Sequence, residues 1–407
     1  MSLRERFEMT SGFRMWSRGL IGVGVLSLII GFVVYGTGDD AHQAKFWGVL
    51  LHNSIYFLMV TNAVMFFFAA TTLAMAGFQI SFRRVTEAIA ACVPVIGTIT
   101  FIVLVIIVFG HKSMIYEWLD KTKVAKDAAL SGKRGFLNPG FFMTWTIAAI
   151  GLWSVIGLKM RQISRKSEDH PMSLEEGKKF VFKNTVWASL YIVWYALTVA
   201  AVIPWLWIMS ISAHWYSTLY SWYTFASTFV AGIALISVFV VYMKNKGYLE
   251  YTNREHLHDL GKFQFAFSIF WTYLWFAQFM LIWYANISEE TIYFKARIEG
   301  AYSGIFFLNL VINFLAPILI YMSAPSKRNY TIVTFMSVAL LFGHWLDFYQ
   351  MIFAGIIPDK VTMNLFDFGI AAGFVGIIIF QTGRVMSKYP LLAKNNPFFK
   401  ESIIHYT

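Results

Sequence analysis

The chain has 407 residues, of which 58% are hydrophobic, 18% aromatic and only 14% charged. A soluble domain carries about 25% charged residues and a β-barrel reads as short alternating segments, so the composition excludes both and predicts an all-α, polytopic membrane protein. The net charge of +11 is assigned to membrane orientation and anionic lipid rather than to nucleic acid, and a single cysteine, Cys92, excludes an internal disulfide framework, CxxCH haem attachment, zinc ribbons and iron–sulfur ligation by this chain alone.

The first stretch, "MSLRERFEMTSGFRMWSRG", is charged and runs directly into an apolar span. It has neither the short apolar core nor the small-residue cleavage site of a signal peptide, so it reads as a retained first helix. Hydropathy predicts ten transmembrane helices, at 16–36, 46–76, 87–110, 140–159, 186–209, 221–243, 263–285, 302–322, 331–354 and 364–386. Each can cross a hydrocarbon core of about 30 Å, and the second is long enough to tilt or to extend beyond the lipid. With the N-terminus inside, most Lys and Arg fall in inside segments, which places both termini in the cytoplasm. Segment 111–139 is an exception, an outside loop with six Lys and Arg. Its Ile115, Trp118, Leu119, Val124 and Ala128 recur near helical spacing. It reads either as a solvated loop with a short helix or as a segment lying on the membrane or on a partner.

Two stretches suggest a repeat. "HNSIYFLMVTNAVMFFFAA" begins at His52 in the second span, and "HWYSTLYSWYTFASTFVAG" begins at His214 before the sixth. The implied division is 1–45 (N-terminal segment and first helix), 46–209 and 210–354 (two four-helix bundles), and 355–407 (last helix and tail). Bundles of four helices keep the same orientation, so the repeat is parallel, about an axis along the membrane normal. Two helices flank the bundles.

Polar atoms inside spans mark interior faces. "FGHWLDFYQM" puts His344 and Asp347 on one face of span nine, where a carboxylate costs about 3 kcal/mol on insertion scales. His52, Asn53 and Asp367 lie toward the outside as well. Toward the inside lie Glu87, Glu250, His258, Asp259 and Lys262, and between the levels Asn62, Tyr273, Gln278, Asn309 and Asn313. The distribution predicts two half-paths with a mostly uncharged middle, of the kind carboxylates and histidines form when they move protons. Structural readings stand beside this one. His344 and Asp347 can pair to fix helix registry. Asp259 can be the N-cap of span seven with Lys262 snorkelling. Glu87 can form an interfacial ion pair with Arg83 and Arg84, and His214 can sit in an aromatic belt. Cys92 reads as a small packed hydrophobe. Only His52 and His344 sit clearly within spans, so a b-type haem has one candidate ligand pair. Walker A, GxGxxG and HExxH motifs are missing, and no metal site is expected.

"ISAHWYSTLYSWYTFAS", "LHDLGKFQFAFSIFWTYLWFAQFMLIWYANISEET" and "FGHWLDFYQMI" resemble the F subunit of bacterial alternative complex III, in the wider NrfD/PsrC-like group of quinone-interacting membrane proteins. The resemblance covers nearly the whole chain and is most specific from Leu257 to Thr291. It implies a cofactor-free subunit of a quinol:cytochrome c oxidoreductase in the bacterial inner membrane. Its partners would be an NrfD-like C subunit, an iron–sulfur subunit, haem c subunits, a terminal oxidase and lipids. The quinol site would lie on the C subunit, so this chain alone would carry no complete active site, and its own contact with quinone stays open. The resemblance also implies proton-path roles for His344, Asp347, Asp259 and Lys262, to which position adds His52 and Glu87. Two rivals remain: a secondary transporter built from parallel repeats, against which Pro94, Pro204 and Pro317 count because they fall in the inner or outer thirds of their spans rather than pairing at one depth, and a purely structural membrane subunit.

Overall fold

A computed structural model describes residues 6–166 and 170–406. Its ten long apolar helices are α1 (Ser11–Gly36), α2 (Asp40–Leu73), α3 (Arg83–Phe109), α4 (Pro139–Arg165), α5 (Leu174–Trp207), α6 (Leu219–Asn245), α7 (Arg254–Ala285), α8 (Ser303–Tyr321), α9 (Tyr330–Ile356) and α10 (Leu365–Met386). No strand occurs among the described residues. The protein is all-α and multi-pass.

Local chemistry sets several starts. Ser173 and Glu176 form a capping box that opens α5 ahead of the predicted 186. Asn253 caps α7, which begins well before the predicted 263. The N-cap role expected of Asp259 is therefore wrong: Asp259 lies in the second turn of a helix whose first turn is amphipathic and escaped hydropathy. Proline marks two irregularities. π-helical turns at Thr198–Val202 and Val311–Leu315 precede Pro204 and Pro317, where the missing N–H loosens the ladder. A carbonyl in the first of these, Ala201 O, accepts the Ser221 hydroxyl at 2.6 Å.

α2, α3, α4 and α5 pack in sequence and close a ring, as do α6, α7, α8 and α9. The rings meet along α2 and α6, whose apolar windows are 89% and 94% buried, against 11% for α1. α2 and α6 are thus central, and their aromatic and aliphatic residues face protein all round. α1 pairs with α10 along the outside of the rings. That pair is close because Gly24 and Gly373 face each other: a Cβ on Gly24 would lie 2.4 Å from the Gly373 Cα. Small residues let membrane helices approach in this way. Gly373→Leu is expected to destabilise the protein by about 3 kcal/mol or more and to open the α1/α10 pair to protease. Gly22→Leu, with nothing within 4 Å of its Cβ position, should melt like the parent in the same detergent.

Ten crossings put both described ends on one side, here the termini side. The tail confirms it: the Ser402 hydroxyl donates to Phe78 O at 3.1 Å in the α2–α3 turn, and the Glu8 N–H reaches the Tyr248 hydroxyl between α6 and α7.

Candidate functional site

α9 presents two polar faces. On the face turned into the second ring, Asp347 accepts from three donors on neighbouring helices: the Tyr223 hydroxyl, the Ser227 hydroxyl (2.9 Å) and Trp271 Nε1 (3.1 Å). A carboxylate has about four lone-pair sites, so one remains for a proton. Ser227 has one hydroxyl proton and gives it to Asp347, so its oxygen must accept from His344 Nδ1, 2.9 Å away. This assigns the neutral His344 tautomer from the network and leaves Nε2, buried, as a bare acceptor without a partner among the described residues. His344 and Asp347 therefore do not bond each other; Ser227 bridges them. Nearby, Asn313 stands in the α8 π-turn with neither amide atom partnered among the described residues, and it lies against Gly343, where a Cβ would meet Asn313 Oδ1 at 2.1 Å.

Toward the far side of the membrane, the cation acting on Asp347 is Arg297. It belongs to a helix that the sequence reading missed, Ser288–Ile298. Its guanidinium lies 3.5 Å from the centre of the Tyr293 ring and Nη1 donates to Tyr293 O at 2.7 Å. Tyr220 and Tyr293 bridge the space between Arg297 and Tyr223.

Toward the termini side a second knot ties all four helices of the ring. Gln264 Nε2 donates to Ser237 (2.8 Å) and Ser337 (3.0 Å), and its Oε1 accepts from Tyr321 (3.0 Å). From His344 to Ser337 is seven positions of α9, about 10 Å of helix rise. Val230, Ala234 and Leu340 fill that interval, with the unpartnered Ser268 hydroxyl on α7. The ring interior thus holds two polar stations separated by an apolar layer.

Asp259 and Lys262 lie below the second knot. Asp259 pairs with Lys262 (2.6 Å) and with His405 of the tail (2.5 Å), and the Lys262 side chain is half exposed. Glu87 does not join this column. It sits in a buried cluster with Arg83 (3.2 Å), Arg84 (2.6 Å) and the Ser164 hydroxyl, which ties α3 to α4.

The opposite face of α9 meets His52. Its Nε2 donates to Trp345 O at 3.0 Å, and its Nδ1 is buried without a partner among the described residues. The His52 ring packs on Trp345, Tyr349 and Phe353, whereas the His344 ring packs on Trp271. The two imidazoles lie on different faces of one helix and cannot be axial ligands of one haem. Farther out, Lys45 and Asp367 form a buried pair at 2.6 Å. Lys45 went unnoticed because it falls one residue before the predicted second span. Among the described residues no group of three or more His, Cys, Asp or Glu is placed to hold a metal ion.

Segment 111–139 docks on the chain itself. Ile115, Trp118, Leu119, Val124 and Leu130 are buried, Ala128 is exposed, and the Tyr116 hydroxyl donates to Trp207 O at 2.7 Å. His214 joins this docking, 2.6 Å from Asp127. The His214 hydrogen bond, with the Leu130 N–H, holds the Asp127 carboxyl below its ordinary value of 3.8, and Thr122 does the same for Asp120. A carboxyl whose folded value is lowered stabilises above the unfolded value and loses that contribution as pH falls through the folded one. The protection of the 121–132 amides, taken as observed exchange relative to the intrinsic rate at each pH, should therefore be level above about pH 4 and fall only below it.

No family profile matches the chain, and no curated protein matches it significantly.

Proposed function

We propose that the chain is a cofactor-free membrane subunit of a quinol-oxidising respiratory complex of the alternative complex III type, and that its second ring carries protons between the complex and the membrane surfaces. The observation that carries the proposal is the buried Asp347–Ser227–His344 chain, with a free carboxylate site at one end and a bare imidazole nitrogen at the other. Serine can accept a proton on one side and donate on the other, so the three groups can pass a proton without net displacement of heavy atoms. Asp347 exchanges toward the far side past Tyr223 and Tyr220. The Gln264 knot, with Asp259 and Lys262 below it, forms the termini-side half-path. The apolar layer between the stations keeps the two from short-circuiting. Positive charge concentrated on the termini side makes that side cytoplasmic in this reading. His52 serves a separate branch at the α2–α9 contact, and Glu87 serves packing.

The secondary-transporter reading fits less well. Parallel-repeat transporters break helices at corresponding positions of the two halves. Here the breaks within the rings are the π-turns of α5, the fourth helix of its ring, and of α8, the third of its own, and the turn ahead of Pro94 in α3, the second of its ring, so they do not correspond. Isolation from membranes in mild detergent tests the proposal. Co-isolation with haem c and iron–sulfur subunits, in a particle that oxidises quinol, is the expected result. A stable lone chain that moves a solute across vesicles would replace it with the transporter.

A further inference from the structure

A cavity of about 820 Å³ forms a groove between the α1/α10 pair and the faces of α2, α6 and α9. It lies behind α9 and contains neither His344 nor Asp347. Its depth is aliphatic and aromatic, with Phe57, Phe239, Leu341 and Val375 among the walls. The two polar groups there are already engaged: the Tyr56 hydroxyl donates to Leu341 O at 2.6 Å, and Trp345 Nε1 donates to Asn53 at 2.9 Å. Water in such a space would lack partners, so within a bilayer hydrocarbon fills it. The termini-side end differs. Thr10, Trp16, Tyr242 and Lys246 form the rim, and Lys246 is the one charged residue among the described lining residues. A cation beside Trp and Tyr at headgroup depth matches an anionic phosphate. A second groove, about 680 Å³ between α1, α10, α2 and α3, is lined without a charged residue among those described and has no such rim.

We infer that the first groove binds one anionic phospholipid of the termini-side leaflet, with an acyl chain laid along the slot and the phosphate at Lys246. Quinone is disfavoured because both donors in the depth are taken, which leaves none for a ring carbonyl. The lipid would fill the seam that separates α1/α10 from the second ring. The inference does not depend on proton conduction or on the partners of the chain.

Native mass spectrometry of the purified protein in mild detergent tests it, with phosphatidylglycerol and phosphatidylcholine added in turn. The expected result is a retained phospholipid, with phosphatidylglycerol preferred. Val338→Trp and Val375→Trp each put an indole into the slot from a partly exposed wall position, and either should abolish retention while the protein still melts cooperatively. Lys246→Glu should lower the preference for phosphatidylglycerol at least about five-fold. Equal retention in the parent and in both folded Trp variants, or an unchanged headgroup preference in Lys246→Glu, would overturn the inference. So would a quinone as the retained molecule.

Discussion

Asp347→Asn is expected to slow proton-coupled quinol oxidation by about 10²-fold or more while the complex assembles at its normal level. The substitution keeps the shape of the side chain and one acceptor oxygen, so part of the bonding to Tyr223, Ser227 and Trp271 survives. The cost in stability should be about 1–2 kcal/mol, that of a weakened hydrogen-bond set. What disappears is the group that can take up and release a proton. Asp347→Leu separates the two effects, because it strands three buried donors and should cost about 3–5 kcal/mol, enough to reduce assembly. Ser227→Ala cuts the hydrogen-bonded link between Asp347 and His344 and should slow turnover with little loss of assembly. Turnover with proton uptake, measured in proteoliposomes on complex quantified by its haem content, is the deciding experiment. Full activity of an assembled Asp347→Asn complex would assign the cluster to helix packing alone.

The apolar layer between the stations adds a constraint. A continuous polar wire through the ring would leak protons whenever the membrane was energised. Leu340, Val230 and Ala234 impose a gap that only a transient water or a shift of α8 can bridge. α8 is suited to such a shift because its π-turn already frees a carbonyl and leaves Asn313 unpartnered. The coupling step of the proposed relay therefore belongs to the seam between α8 and α9 rather than to either station.

Much of this architecture was legible in the sequence because the bilayer imposes a simple code. Every span must satisfy its own backbone, so length and hydropathy located ten helices, and the rarity of charge inside them pointed to His344 and Asp347. The code fails where polarity is modest or placement depends on a partner. Tyr223, Ser227 and Trp271 are common residues in apolar helices, and nothing in their own segments shows that they converge on one carboxylate. Gln264 looked ordinary until Ser237, Ser337 and Tyr321 were seen around it. Tyr273 was read as part of the polar middle, yet it is 63% exposed, on a helix face turned away from the ring. The early starts of α5 and α7 were hidden because their first turns are amphipathic, although the Ser173–Glu176 capping box was there to be read.

Lys45 and Asp367 should show a stability effect as large as that of Asp347→Leu. Their side chains are 5% and 0% exposed, and the ammonium lies 2.6 Å from Asp367 Oδ2. The same oxygen accepts the Asn364 N–H at 2.8 Å, closing the capping box that starts α10. Lys45 also lies 4.8 Å from the centre of the Phe353 ring, so one ammonium joins α2, α9 and α10. Lys45→Met leaves a buried carboxylate uncompensated and should cost about 3–5 kcal/mol. Asp367→Asn removes the counter-charge, leaving the buried ammonium a neutral amide oxygen and aromatic rings, and should cost a similar amount. Replacing both removes both desolvation costs, so Lys45→Met/Asp367→Asn should melt above either single variant, with a strong favourable coupling between the sites. Thermal unfolding of the four proteins in one detergent measures that coupling. If the single variants melt within a degree of the parent, the pair is hydrated and α10 is held by its glycine contact with α1 and its packing on α3. If the coupling is large, the pair fixes the far-side end of α10, just as Gly373 fixes its middle against α1, and the groove between α10 and the second ring keeps its width because its wall is pinned at two points.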